Sequence, residues 1–95
     1  MAAFRFSNQA NKDMLAIAIF SQQEWGEIQA KKYIRELREC CALLVLNPDI
    51  GRAATLGRWS GRRMEQGSHV IFYRADRTGI LVQRVLHKNM LLKLS

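Results

Sequence analysis

The sequence lacks the features that mark membrane, secreted and metal-binding proteins. Its apolar runs fall far short of the roughly 20 residues that a transmembrane helix needs, and residues 1–13 have no long apolar stretch of the kind found in a signal peptide. The two cysteines, Cys40 and Cys41, are adjacent and cannot form an unstrained disulfide with each other. No histidine or further cysteine stands at the spacing of a zinc site. We therefore expect a cytoplasmic protein with reduced thiols, no metal and no cofactor.

Acidic residues are scarce in the second half of the chain, and this scarcity sets the charge pattern. Residues 1–50 contain six Lys or Arg and six Asp or Glu, whereas residues 51–95 contain nine Lys or Arg and only two Asp or Glu. The whole surplus behind the net charge of +7 therefore lies in the C-terminal half. Such an asymmetry favours an anionic partner, either a nucleic acid or an acidic protein segment, over a basic protein without one.

Length and composition predict one folded domain over residues 1–95. The chain is 48% hydrophobic, which is normal for a globular protein and excludes a disordered one. A chain of this length supports only a modest core.

Two helices are predicted in the first half, because apolar residues recur there at intervals of three and four. The first follows a short strand at residues 3–7, starts after the capping hydroxyl of Ser7 and covers about residues 8–24. Gly26 separates it from the second helix, which ends where the chain's only proline, Pro48, follows Asn47. The second helix covers about residues 27–46 and forms an antiparallel hairpin with the first.

The rest of the chain alternates short strands with glycine turns. Residues 47–60 are predicted to form a loop, and strands are predicted at residues 61–66, 69–75 and 80–87. The turn before the last strand contains Gly79, which suits a left-handed position. The predicted fold is α+β: an N-terminal strand, a two-helix antiparallel hairpin, then a three-stranded antiparallel sheet with both helices on one face.

The last strand carries large apolar groups and cations on both of its faces. Strict alternation puts Val82 and Leu86 on one face with Arg84, and puts Val85 on the other with His87. Two helices cover only one face of a small sheet. The other face is expected to stay open, apolar and basic, as a docking surface for another chain.

The chain also resembles a known protein family. The segments KDMLAIAIFSQQEWGEIQAKKYIREL, NPDIGR, GSHVIFYR and RVLHKNM stand in the order and spacing of the ParE branch of the RelE/ParE toxin superfamily. The Trp25-Gly26 pair, the Asn47-Pro48 pair and the strand end at His87 are weak signals one by one. Together they form a specific pattern over nearly the whole chain.

The resemblance implies a function. Members of the ParE branch are the toxin halves of bacterial type II toxin–antitoxin pairs; they poison DNA gyrase by stalling its cleaved-DNA intermediate and are not thought to be enzymes. The resemblance also implies a ParD-like antitoxin, a toxin–antitoxin hetero-oligomer, and operator DNA bound only through the antitoxin. The flexible antitoxin arm would fold on the toxin, and its apolar anchors and acidic residues would suit a basic, apolar sheet face.

The C-terminal tail departs from the family pattern. In the branch, the RVLH segment is followed by two residues, a methionine with an aspartate, and a longer tail. Here Met90 is followed by Leu91 in the short segment LLKLS. If the tail contributes to toxicity, the alternative is a truncated or weakened toxin that only binds its antitoxin.

Candidate site residues follow from the charge pattern and the expected open face, and none is assigned to catalysis. The target-binding candidates belong to the basic half: Trp59, Arg62, Arg63, Arg84, His87 and Lys88. The antitoxin-binding candidates lie on the first helix, the sheet and the tail: Leu15, Ile19, Phe72, Arg74, Val82 and Met90. A mid-strand guanidinium such as that of Arg84 needs an anionic ligand or an internal carboxylate, for example Glu65. Trp59 has an equally good explanation as a cap on the edge of the core.

Two other functions stay open at this point. Cleavage of ribosome-bound messenger RNA, as in the RelE branch, needs a base, an acid and cations beside a phosphate. Residues of those types are present: Arg62, Arg63, Glu65, Arg84 and His87. This function ranks lower because Tyr33 and Tyr73 fall at structural positions. A small nucleic-acid-binding module would suit the charge, but the sequence has no recognised motif for one.

Overall fold

The computed structural model describes the backbone of residues 3–94 and the side chains of residues 3–91. Five strands and three helices make up this part of the chain. In chain order the elements are β1 (Ala3–Phe6), α1 (Asn8–Trp25), α2 (Glu27–Leu46), β2 (Arg52–Leu56), β3 (Trp59–Gln66), β4 (His69–Asp76), β5 (Gly79–His87) and α3 (Lys88–Leu94). The strands form one sheet in the order β1-β5-β4-β3-β2. Neighbours from β2 to β5 are antiparallel, whereas β1 lies parallel to β5.

The predicted α+β fold, with its N-terminal strand, helical hairpin and antiparallel sheet, is confirmed. Two elements were not predicted: β2 lies inside the segment predicted as a loop, and α3 occupies the tail. The β2 sequence RAATL has two alanines and little strand propensity of its own. It is a strand because all five of its residues pair with β3.

The ends of α1 follow the predicted chemistry. The Ser7 hydroxyl accepts a hydrogen bond from the Ala10 N–H at 3.0 Å, which satisfies one of the free donors of the first turn. At the other end, Gly26 has a φ of +85°, a conformation that costs other residues a steric penalty. Its N–H bonds to the Gln22 carbonyl at 3.0 Å and closes the last turn. The chain therefore reverses at Gly26, and α2 returns along α1.

The main core lies between the helical hairpin and one face of the sheet. Its buried members come from α1, α2, β4 and β5: Ala10, Ile17, Leu37, Cys40, Cys41, Leu44, Ile71, Tyr73, Ile80, Val82 and Val85. Both cysteines are buried and not disulfide-bonded, as predicted. Burial raises the pKa of Cys41 to about 12, so its thiol is unreactive at neutral pH.

A β-bulge changes which side chains of β5 share a face. Tyr73 pairs with Val82 and Phe72 pairs with Arg84, so Gln83 is an extra residue without a partner on β4. Beyond the bulge, Val85 joins Val82 in the helix-side core. The prediction that Val82 shares a face with Arg84 and Leu86 was therefore wrong, because strict alternation does not allow for an inserted residue.

The hydroxyl of Tyr73 holds the loop between α2 and β2. It donates to the Pro48 carbonyl at 2.7 Å and accepts from the Gly51 N–H at 3.1 Å. A Cβ at Gly51 would lie too close to the Tyr73 hydroxyl, so the loop passes the ring only with glycine at this position. Tyr73 is thus structural, as its place in the sequence indicated.

We predict that Tyr73→Phe lowers the free energy of unfolding by about 1–3 kcal/mol, because it leaves the buried Gly51 N–H and the Pro48 carbonyl without their partner. Urea denaturation measures the loss. Ser60→Ala, which removes an exposed strand hydroxyl, is the control and should change stability by less than about 0.5 kcal/mol. Equal stabilities of Tyr73→Phe and the wild type would contradict this role.

Candidate functional site

Cations cross the sheet on the face away from the helical hairpin. Cross-strand pairing places one row of side chains over four strands: Arg52, Arg63, Phe72 and Arg84. Arg74 and Arg5 are both paired with Leu81 in a second row. Lys88, at the start of α3, reaches the same side through Glu65. We call this surface the arginine face; its cations are Arg5, Arg52, Arg63, Arg74, Arg84 and Lys88.

The apolar layer beneath the arginine face is covered. Val70, Phe72 and Leu86 form a second buried cluster, packed by Trp59 and Leu91 among others. Two guanidiniums lie over aromatic rings: Arg63 Cζ is 6.0 Å from the Phe72 centroid, and Arg74 Cζ is 5.8 Å from the Trp59 centroid. The expectation of an open apolar face was therefore wrong, although its basic character is present.

Two antitoxin-binding candidates are corrected by burial. Phe72 is 2% exposed and Val82 is 0% exposed, and they lie on opposite faces of the sheet. Neither offers surface to a partner. Trp59 also has a structural role, because its ring packs edge-to-face on Phe72 at 6.1 Å between centroids and caps this cluster. Arg74 stands on the surface above Trp59.

Glu65 forms ion pairs with three cations of the arginine face. Its carboxylate lies 2.7 Å from Arg52 Nη2, 3.6 Å from Arg63 Nη2 and 3.6 Å from Lys88 Nζ. One negative charge therefore faces three positive ones. Because all four side chains are partly exposed, these pairs position the cations more than they stabilise the fold.

Arg84 is paired with Asp13 on α1, not with Glu65. The pair is bidentate: Arg84 Nε donates to Oδ2 at 2.8 Å and Nη2 donates to Oδ1 at 3.0 Å. The same Oδ2 accepts from the Val85 N–H at 2.9 Å, on the edge of β5 that β1 no longer covers. These bonds raise the pKa of Arg84. The guanidinium thus has the internal carboxylate that the sequence reasoning required, and it ties α1 to β5.

Arg62 and Arg63 are adjacent on β3, so their side chains lie on opposite faces of the sheet. Arg62 pairs with Tyr73 on the helix side and donates to the Gly51 carbonyl at 2.7 Å. Its other Nη atom is 3.5 Å from the Asp49 carboxylate. Arg62 is therefore engaged by the loop before β2, while Arg63 belongs to the arginine face. The residues considered for RNA cleavage do not converge on one point.

His87 lies on the helix side, in a buried network around His69. The His87 and His69 rings meet edge-to-face at 5.1 Å. Tyr33 Oη lies 2.6 Å from His69 Nδ1, accepts from the Ser68 N–H at 3.0 Å and lies 3.5 Å from the Gln66 carbonyl, to which it can donate. Burial, with the neighbouring His87, lowers the pKa of His69 to about 4. His69 is therefore neutral at pH 7.

Exposed apolar side chains lie on the helices. Leu15 is 63% exposed and Ile19 is 50% exposed, one turn apart on α1, and Met90 on α3 is 50% exposed. Further large apolar side chains are exposed on the hairpin and the following loop: Phe20, Trp25, Ile28, Leu43, Leu46 and Ile50. We call the pair Leu15 and Ile19 the α1 ridge. The sequence reasoning selected this ridge, although it did not foresee that the sheet would be covered.

A groove of about 560 Å³ lies between α1 and α2, next to the α1 ridge. Its apolar lining consists of three alanines and one isoleucine: Ala18, Ala30, Ile34 and Ala42. Charged side chains of α2 of both signs line it as well: Glu27, Lys31, Arg35, Arg38 and Glu39. Small side chains let another backbone approach closely, so the groove suits an apolar segment of a partner.

Sequence reasoning missed Asp13. A signal was available, because Asp13 precedes the buried Ile17 by four residues and so lies on the inward side of α1. A carboxylate there needs a cation.

Within the described residues no group of three metal-ligating side chains comes together, and none of the described helices is long and apolar enough to cross a membrane.

The depressed pKa of His69 predicts a stability change with pH. The unfolded chain binds this proton near pH 6.5 and the folded chain only near 4, so stability is lost as the pH falls through that window. We expect the free energy of unfolding to fall by about 1 kcal/mol between pH 7 and 5.5. Urea denaturation of the wild type and of His69→Gln, which cannot take up the proton, measures the difference. The same slope in both proteins would contradict this assignment.

Comparisons with known proteins relate this chain to one family of bacterial toxins. The family model of the ParE toxin of type II toxin–antitoxin systems (parDE) matches residues 4–92. Toxin ParE1 of Caulobacter vibrioides is 38% identical over 92 residues, which are 95% of this chain and 93% of that protein. Toxin ParE1 of Mycobacterium tuberculosis is 43% identical over 67 residues, which are 70% of this chain and 68% of that protein.

The fold has a solved counterpart in a structure of the chromosomal ParDE TA system from P. aeruginosa. That chain superposes with a TM-score of 0.74 at 21% identity, over 92% of this chain and 96% of that one. This likeness supports the fold, and the family model and the curated relatives support the kinship. The chain belongs to the ParE toxin family of type II toxin–antitoxin systems.

Proposed function

We propose that this chain arrests bacterial growth by inhibiting DNA gyrase and that a ParD-like antitoxin neutralises it in a toxin–antitoxin hetero-oligomer. Membership of the ParE family supports both parts. The observation that carries the antitoxin part is the α1 ridge, where Leu15 and Ile19 stand exposed beside an alanine-lined groove. Operator DNA would be bound through the antitoxin.

The α1 ridge and its groove suit an amphipathic segment that folds on binding. Apolar anchors spaced three and four apart on such a segment would fill the groove, and an acidic residue would meet Arg38, since Lys31 and Arg35 are paired with Glu27 and Glu39. Burying two large aliphatic side chains contributes about 3–6 kcal/mol before the cost of ordering the segment. The proposed site is therefore on the helical hairpin, not on the sheet.

Action on gyrase through protein contact is the better of the two target proposals. A ribonuclease needs a base, an acid and cations around one phosphate. Here Tyr33 bonds to His69, Tyr73 bonds to the loop, and Arg84 bonds to Asp13, so these groups are engaged by the fold itself. An inhibitor that only binds its target requires no such cluster.

Replacing the two apolar side chains of the α1 ridge by carboxylates tests the antitoxin part. We expect Leu15→Glu combined with Ile19→Glu to weaken binding of the ParD-like antitoxin by about 100-fold, because both apolar contacts are replaced by charges. Gln9→Glu combined with Gln23→Glu adds the same two charges at exposed positions of α1 and is the matched control. Isothermal titration calorimetry measures both. Equal affinity of the two double variants would contradict the site.

A plasmid assay tests the gyrase part. Purified chain added to gyrase, ATP and supercoiled plasmid should yield linear DNA after protein denaturation, and prior addition of the antitoxin should prevent it. Unimpaired supercoiling, with cuts in messenger RNA only on translating ribosomes, would contradict the proposal and point to the RelE type of activity. Binding of antitoxin with neither effect would point to a chain that has lost toxicity.

A further inference from the structure

The arginine face has more positive charge than its own carboxylates balance. Five of its six cations are paired with three acids: Asp76 with Arg5, Asp13 with Arg84, and Glu65 with Arg52, Arg63 and Lys88. Three positive charges are therefore left over. Arg74, whose Nε donates to the Ser60 carbonyl at 2.9 Å, has no carboxylate among its described contacts. An anionic ligand is the natural complement of such a surface.

We propose that the arginine face binds the phosphate backbone of double-stranded nucleic acid directly. Arg52 and Arg63 are paired across β2 and β3, about 4.8 Å apart, and Arg74 stands on the next strand, β4. These three strands span roughly 10 Å, a length along which duplex DNA carries about six phosphates. Several phosphate contacts can therefore form at once.

The guanidiniums are held in place before any ligand arrives. Arg63 lies over Phe72 and Arg74 lies over Trp59. A positioned guanidinium loses little side-chain entropy when it binds a phosphate, and its planar fork matches two phosphate oxygens. The arrangement therefore favours phosphate over a diffuse counterion cloud.

An acidic protein segment fits this face less well. Such segments rely on apolar anchors for most of their affinity, and the apolar layer here is buried: Val70, Phe72 and Leu86 are at most 4% exposed. The exposed apolar residues are on the helices instead. A nucleic-acid backbone needs only cations, and the aromatic rings of Phe72 and Trp59 on this face lie under arginines, which leaves them poorly placed to stack on bases. We therefore expect binding without sequence preference.

Fluorescence anisotropy with labelled duplexes of about 20 base pairs tests the proposal, with DNA and RNA of the same sequence as separate probes. We expect a dissociation constant on the order of 1–100 µM near physiological salt, falling steeply at lower salt. The logarithm of the binding constant should change linearly with the logarithm of salt concentration, with a slope that counts the phosphate contacts. The tighter duplex identifies the natural ligand.

Three variants locate the contacts. Arg52→Gln should reduce the magnitude of the salt slope by about 0.9, the value of one lost phosphate contact. Glu65→Gln should tighten binding, because it removes the carboxylate that competes with the phosphate for Arg52 and Lys88. Arg35→Gln is the matched control: it removes the same charge from an exposed arginine on α2 that is also paired with a glutamate, Glu39, and should leave the slope unchanged.

The proposal is overturned if neither duplex binds at 50 mM salt, or if Arg52→Gln and Arg35→Gln weaken binding equally. A glutamate-rich peptide that binds the arginine face more tightly than either duplex would overturn it in favour of an acidic protein partner. The inference does not depend on gyrase. Duplex binding in the absence of gyrase and linear plasmid in its presence are separate readouts, so either can fail alone.

Discussion

The bidentate pair between Asp13 and Arg84 decides how the two halves of this fold meet. Arg84 follows the bulged residue Gln83, and Asp13 stands on the inward side of α1. Their contact, with the bond from the Val85 N–H, closes the edge of β5 where β1 ends and holds α1 against it. The bulge also returns Val85 to the helix-side core. This ion pair thus holds α1 at the edge of β5, next to the apolar core that joins the hairpin to one face of the sheet.

The sheet separates two surfaces of different chemistry. The helical hairpin presents aliphatic side chains around an alanine-lined groove, a surface suited to an apolar partner segment. The sheet presents guanidiniums that lie over a sealed apolar layer. Both surfaces are accessible on the same molecule because they lie on opposite sides of the sheet.

The sequence predicted local structure well and side-chain partnership poorly. Ser7, Gly26 and Pro48 act within one turn of chain, so the helix limits could be derived from them. Strand β2 could not be predicted in this way, because its stability comes from pairing with β3 and not from its own residues. The bulge at Gln83 has no local signal either, and it moved Val82 away from the face assigned to it.

The sequence also failed to predict that the apolar residues on the arginine face are buried, and the reason is again an effect of tertiary packing. Alternation gives the face of each strand residue, but it does not show whether long arginine side chains lie down over their apolar neighbours. Phe72 was assigned to a partner and is instead covered by Arg63. Leu15 and Ile19 are exposed, in agreement with a helical periodicity that places them off the core stripe, and their assignment to the antitoxin stays a prediction.

A double-mutant cycle on Asp13 and Arg84 tests the central claim most directly. Asp13→Asn, Arg84→Gln and the double variant are compared with the wild type by urea denaturation. A pair that couples α1 to β5 predicts an interaction free energy of about 1–3 kcal/mol, since each single change leaves the other group without its partner in a partly buried place. Additive single effects, within about 0.5 kcal/mol, would contradict the claim that this pair joins the two halves of the fold.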